Sequence, residues 1–153
     1  MNTLIVYDSV FGNTEKVAQA IGGALGAQVM RVGDVKPEHL SGLNALIVGS
    51  PTRAFSATPA VKQWLQSLAP KRLSGVKVAA FDTRMDVKTV NSPILTFFAR
   101  IFGYAAEPMA SRLVKKGGTQ ATAPAGFIVM ASEGPLKDGE LERAAEWARQ
   151  MPQ

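Results

Sequence analysis

Short, mainly apolar runs recur along the chain at Thr3 to Tyr7, Gln28 to Val32, Ala45 to Gly49, Val76 to Phe81 and Phe127 to Ala131, each bounded by Gly, Ser, Asp or Pro. Runs of this length without polar alternation fit strands covered on both faces, as in a parallel sheet. Between them the spacing becomes helical. Val17, Ala18, Ile21 and Leu25 share one face of a first helix, and Val61, Trp64, Leu65 and Leu68 share a face after the start signal at Pro59. Asp138 is placed to cap a last helix carrying Leu141, Ala144, Ala145 and Ala148. The second crossover is weaker, since Pro37-Glu38-His39-Leu40 leaves room for only a turn or two before Gly42. Alternating strands and helices predict an α/β fold, a doubly wound parallel sheet with ligands outside the carboxyl ends of its strands.

One segment breaks the rhythm. From Pro93 to Ala106 the chain reads Ile94, Leu95, Phe97, Phe98, Ile101, Phe102 and Tyr104 with Arg100 as its single charge, and a further helical pattern follows from Glu107 to Lys116. A stretch apolar around most of its circumference is either a buried crossover helix or an added hydrophobic element, fit for a dimer or partner contact. With no linker or repeat, residues 1–153 are expected to form one domain with this hydrophobic helical segment, about 93–106, added.

The first strand breaks into Asp8-Ser9-Val10-Phe11-Gly12-Asn13-Thr14 before a helical pattern from Glu15. A strand that delivers a small, hydroxyl-rich loop to the start of a helix exposes backbone N–H groups beside the positive end of the helix dipole, which favours an anion. No G-x-G-x-x-G follows the strand and no Gly-x4-Gly-Lys-Ser/Thr occurs, so dinucleotide and nucleoside-triphosphate fingerprints are both missing. An anion other than these two ligands is the expected occupant. The competing reading is a plain turn in which Asn13 or Thr14 caps the helix.

Strand hydrophobics, Tyr7, Ser9, Gly12 and Thr14, then Ala18 and Ile21 along the helix, stand in the register of a known phosphate loop. This pattern resembles that of the flavodoxin family. The resemblance implies a five-stranded, three-layered sheet of order 2-1-3-4-5 and a phosphate of FMN held by Ser9 and Thr14 as hydroxyl donors and by the backbone of Val10, Phe11, Gly12 and Asn13. It also implies one wall of a flavin-ring site at Ser50, Pro51, Thr52, Arg53, Ala54 and Phe55, with Phe55 shielding the ring. The matching second wall would be Asp82, Thr83, Arg84 and Met85, the first three bonding the pyrimidine edge, although Asp82 is equally a candidate strand-end cap.

Three departures from the resembled pattern carry expectations of their own. No Trp or Tyr lies near Arg84 in the sequence, so ring stacking is expected from one side, from Met85 or from the segment after Pro93. Arg53 and Arg84 stand where many such proteins are acidic, and cations there would favour an anionic reduced flavin. No Gly occurs between Gly49 and Gly75, so positive φ in the Thr52-Arg53-Ala54 turn is disfavoured.

The formal charge of +5 favours anionic partners. The basic residues are scattered and the aromatics do not interleave with them, so no nucleic-acid surface is expected. Absence of cysteine rules out thiolate metal sites and Cys nucleophiles, and His39, the single histidine, lacks a serine-nucleophile motif or an H-E-x-x-H partner. No catalytic or metal residue is assigned. No run approaches the roughly 20 apolar residues of a membrane span, and Met1-Asn2-Thr3 has no basic signal start, so a cytoplasmic protein is expected. The reading is an FMN-binding redox protein, an electron carrier or small FMN-dependent reductase serving protein or small-molecule partners. The alternative is a binding or regulatory module of the same fold without flavin.

Overall fold

The structure, a computed structural model, describes residues 1–86 and 92–152, without the side chains at positions 95, 98, 101 and 102. The expectations for Leu95, Phe98, Ile101 and Phe102 therefore fall outside the described side chains. In chain order the elements are β1 (Thr3–Tyr7), α1 (Asn13–Leu25), β2 (Gln28–Arg31), β3 (Ala45–Pro51), α2 (Pro59–Ser67), β4 (Lys77–Met85), α3 (Pro93–Phe102), α4 (Ala106–Lys115), β5 (Thr119–Gln120), β6 (Ala125–Val129) and α5 (Glu140–Ala148). Single 3-10 turns at Val32–Asp34 and Pro37–Leu40 make the short second crossover.

All strand pairs are parallel, in the order β2-β1-β3-β4 with β5 and β6 both on the outer edge of β4. The expected order 2-1-3-4-5 is present, with the fifth position divided between two strands. β5 meets the start of β4 at Lys77 and Val78, and β6 meets its end from Phe81 to Met85. Pro124, which has no N–H to give a ladder, stands between them.

The strand period of two sends alternate residues to opposite faces. Leu4, Val6, Leu46, Val48, Val78 and Ala80 pack with Val61 and Leu65 of α2 and Met109 and Leu113 of α4. Ile5, Tyr7, Ala45, Ile47, Ala79 and Phe81 pack with Val17, Ala18 and Ile21 of α1 and Ala144, Trp147 and Ala148 of α5. These are the three layers. At the sheet end, Phe81, Phe127 and Trp147 meet edge to face with centroids 6.0 to 6.1 Å apart, and Trp147 Nε1 donates to the Ala123 carbonyl at 2.8 Å. Each buried phenyl contributes about 1.5–3 kcal/mol by leaving water, so β6 and α5 are firmly held behind the site.

Two local expectations are corrected, and a third is narrowed. The N-cap of α5 is Gly139, at φ 88 and without a side-chain cap bond, rather than Asp138. Glu140 in its first turn takes over the anchoring, accepting the Ile128 N–H at 2.6 Å and Arg143 at 2.8 and 2.7 Å. Strand β4 runs on to Met85, so Asp82 to Met85 are strand residues rather than a loop. The segment from Pro93 is a helix, but not a uniformly buried one: Ala99 is buried whereas Ile94 and Phe97 are 67% and 58% exposed. No helix among the described residues is long and apolar enough to cross a membrane.

Candidate functional site

The carboxyl ends of β1, β3, β4 and β6 open on one side of the sheet, around a solvent-open cleft of about 230 Å3. Its lining includes Ser9, Val10, Phe11, Asn13 and Thr14 from the first loop, Pro51, Thr52, Arg53 and Ala54 from the second, and Thr83, Arg84 and Met85 from β4. These residues, expected in one place, are brought together. Val129 and Ser132, from the loop after β6, complete the lining. Sequence reasoning missed them because that loop carries no recognisable motif, although the rule placing ligands at strand carboxyl ends applies to it equally.

In the first loop, Gly12 takes φ 93 and leads α1 without a side-chain cap bond, so neither Asn13 nor Thr14 is a cap. Ser9 Oγ accepts the Gly12 N–H at 3.0 Å and the Glu15 N–H at 3.4 Å, which draws the loop into an arc. The N–H groups of Val10, Phe11, Asn13 and Thr14 have no acceptor among the described residues. Asn13 and Thr14 begin a helix of 13 residues and Val10 and Phe11 lie in the loop just before it, where dipole and unpaired donors favour negative charge. Behind the loop, Arg31 bonds Asp8 Oδ1 and the Ser9 carbonyl at 3.1 Å each and lies over the Tyr7 ring at 5.3 Å. Tyr7 Oη donates to Glu15 at 2.9 Å. Asn13 Nδ2 donates to the Glu133 carbonyl at 3.1 Å, tying the loop to the one after β6.

The second loop makes a tight turn. Arg53 and Ser56 exchange backbone bonds of 2.8 and 3.1 Å, with Ala54 at φ 48 and Phe55 at φ 65 between them. The expectation that positive φ is avoided for want of Gly is overturned. Two non-glycine residues hold it, at a cost of order 1–3 kcal/mol each, because the turn is pinned at both ends. Thr52 N–H donates to the Thr83 carbonyl at 2.8 Å, and Ser50 Oγ accepts the Thr58 N–H at 3.0 Å. Ser50 is fully buried in this anchoring role, away from the cleft. Phe55 likewise does not line the cleft, whereas Phe11 does, 46% exposed and with the Arg53 guanidinium 5.5 Å from its ring centroid.

On β4 the period of two decides what each residue meets. Thr83 faces α1 along with Phe81, and its hydroxyl lies 2.7 Å from that of Thr14, both side chains buried. Asp82 and Arg84 face the other layer. Arg84 binds Asp82 through both carboxylate oxygens at 2.7 Å, and Asp82 also accepts the Ala106 N–H at 2.9 Å, while Thr52 Oγ1 accepts the neighbouring Ala105 N–H at 3.0 Å. Burial pushes the Asp82 carboxyl up from its ordinary range, against the pull of Arg84. Asp82, Thr83 and Arg84 therefore do not converge on one edge. Asp82 is wholly buried and does not line the cleft, and it offsets the Arg84 charge that was expected to act as a free cation there. Tyr104 brings an aromatic ring to Arg84, its centroid 3.8 Å from the guanidinium, and Gly126 lies close against the same side chain. No three His, Asp or Glu side chains converge on a metal position among the described residues.

A family profile described as a flavodoxin domain matches residues 4–120. Among solved structures the chain is similar to oxidised flavodoxin 1 of Bacillus cereus, at 16% identity over 98% of this chain and 96% of that one, with a TM-score of 0.76. It is also similar to a flavodoxin of Streptococcus pneumoniae TIGR4, at 17% identity over 98% and 97%, TM-score 0.74. The two-electron reduced flavodoxin of Megasphaera elsdenii matches at 23% identity over 95% and 97%, TM-score 0.67. No curated protein matches the chain.

Proposed function

That the chain belongs to the flavodoxin family is the premise from which we propose that it binds FMN noncovalently and serves as an electron carrier. The observation that carries this reading is the set of N–H groups at Val10, Phe11, Asn13 and Thr14 that have no acceptor among the described residues, on residues that line a cleft walled by the loops after β3 and β6 and by the end of β4. The donors fit a phosphate. Residues 9 to 14 include no Lys or Arg, so neutralisation comes from backbone dipoles, which act at fixed positions without side-chain ordering.

Bound FMN would supply the redox chemistry itself, taking up and passing on electrons. The chain holds and orients it: the α1 turn the phosphate, Thr52 to Ala54 one side of the ring system, Arg84 and Met85 the other. The cleft is open to solvent rather than enclosed, which suits a ligand that exchanges electrons with a partner. No second nucleotide motif is present to bring a nicotinamide donor, which favours a carrier over a reductase. A cytoplasmic setting accords with the cysteine-free sequence.

The net charge of +5 favours a partner with an acidic surface. Exposed Ile94 and Phe97 on α3 offer an apolar contact, and a homodimer through α3 would rest on the same two side chains. To test the carrier reading, the FMN-loaded protein is photoreduced without oxygen and mixed with an acidic acceptor such as plastocyanin or with basic cytochrome c. Faster, salt-sensitive reoxidation by the acidic acceptor is expected. Failure to reduce either protein, or steady consumption of NAD(P)H without one, would contradict it.

A further inference from the structure

We propose that Thr83 is a positioning residue for the phosphate end of the ligand, acting through Thr14, rather than a contact to the flavin ring. The inference rests on the FMN reading of the cleft. Thr83 stands on β4 among residues that the sequence assigns together to the ring edge, but strand alternation turns it toward the start of α1. There its hydroxyl is 2.7 Å from that of Thr14, with the two residues 4% and 1% exposed.

Each hydroxyl carries one hydrogen, so the pair uses one and leaves one. Thr14 lies in the first turn of α1, beside N–H groups without acceptors among the described residues. An anion held by those groups takes the free hydrogen from Thr14, and Thr14 Oγ1 can then accept only from Thr83. The order of donation is thus Thr83 to Thr14 to phosphate. Donation into Thr14 fixes its rotamer and polarises its O–H toward the ligand, as linked hydrogen bonds do in a low-dielectric setting. Thr83 is itself held firmly: it pairs with Pro51 in the ladder, and its carbonyl accepts the Thr52 N–H at 2.8 Å. The same residue, 69 positions from Thr14 in sequence, therefore connects the phosphate loop to the loop after β3.

The consequence is discrimination between FMN and riboflavin, which lacks the phosphate. Thr83→Val keeps the shape and removes the hydroxyl, and Thr83→Ser keeps the hydroxyl. Dissociation constants for FMN and riboflavin are measured for both variants, for Thr14→Val and for the double valine variant. Thr83→Val is expected to weaken FMN about three- to tenfold, the scale of one hydrogen bond, and to leave riboflavin unchanged, with Thr83→Ser restoring FMN affinity. In the Thr14→Val background, Thr83→Val should weaken FMN no further. Equal weakening of both flavins would make Thr83 a ring contact, and additive losses or no loss would deny the relay; any of these overturns the proposal while leaving the FMN reading standing. Failure of the unaltered protein to bind FMN would overturn that reading and this proposal with it.

Discussion

Asp82→Ala is expected to lower folding stability by about 3 kcal/mol, the penalty typical of removing one partner of a buried ion pair. Asp82 is fully buried, and its carboxylate ties two places together: Arg84 of β4 through two bonds of 2.7 Å and the Ala106 N–H at the start of α4. Removing it leaves the Arg84 guanidinium, packed against the Tyr104 ring and close to Gly126, without a counter-charge. The effect sits at the lower end of the range because the Arg84 side chain keeps 22% of its exposure and can be partly rehydrated. Urea unfolding measures it. Replacing both members, Asp82→Leu with Arg84→Met, should recover at least half of the loss, since an apolar pair needs no counter-charge. A single variant within about 1 kcal/mol of the parent would show that the pair does not organise this wall.

Gly49→Ala is expected to cost about 3 kcal/mol as well, at the top of the overpacking range. A Cβ built at Gly49 would lie 2.0 Å from Cζ of the Phe81 ring. That ring cannot easily retreat, because Phe127 and Trp147 pack on it edge to face and it is wholly buried. Gly49 also sits where the two loops join: its carbonyl accepts the Asp8 N–H at 3.1 Å, and Ser50 follows it into the second loop. Moving Phe81 or Gly49 would shift both loops, so weaker FMN binding should accompany the lost stability. Gly23→Ala is the control, since nothing lies within 4 Å of its Cβ position in α1, and it should be neutral or stabilising by up to about 1 kcal/mol. Equal behaviour of the two variants would refute the packing argument.

Much of this architecture was legible in the sequence because continuous apolar runs mark strands covered on both faces, and helical spacing between them leaves few arrangements of the sheet. The phosphate loop was legible for a similar reason, being local: Ser9, Gly12 and Thr14 lie within six positions of one another. What escaped was non-local. Tyr104 reaches Arg84 only through the path of α3 and α4, and Arg31 braces Asp8 and Ser9 only because β2 lies beside β1. Asp82, Thr83 and Arg84 looked like one wall because polar residues at a strand end read as loop. Their continuation of β4 sends them to alternate faces, and that separates a buried anchor from a residue beside the phosphate turn. The turn at Ala54 and Phe55 escaped because residue preference favours Gly there, while anchoring at Arg53, Ser56 and Thr52 overrides the preference.

Titration of the flavin-free protein with FMN, following quenching of flavin fluorescence, tests the central claim most directly. The account predicts saturation at one FMN per chain with a dissociation constant on the order of 1 μM or below. It also predicts that riboflavin binds at least about tenfold more weakly, because the charge-assisted bonds of the α1 turn have no phosphate to hold. No saturable quenching, or equal affinity for FMN and riboflavin, would contradict it.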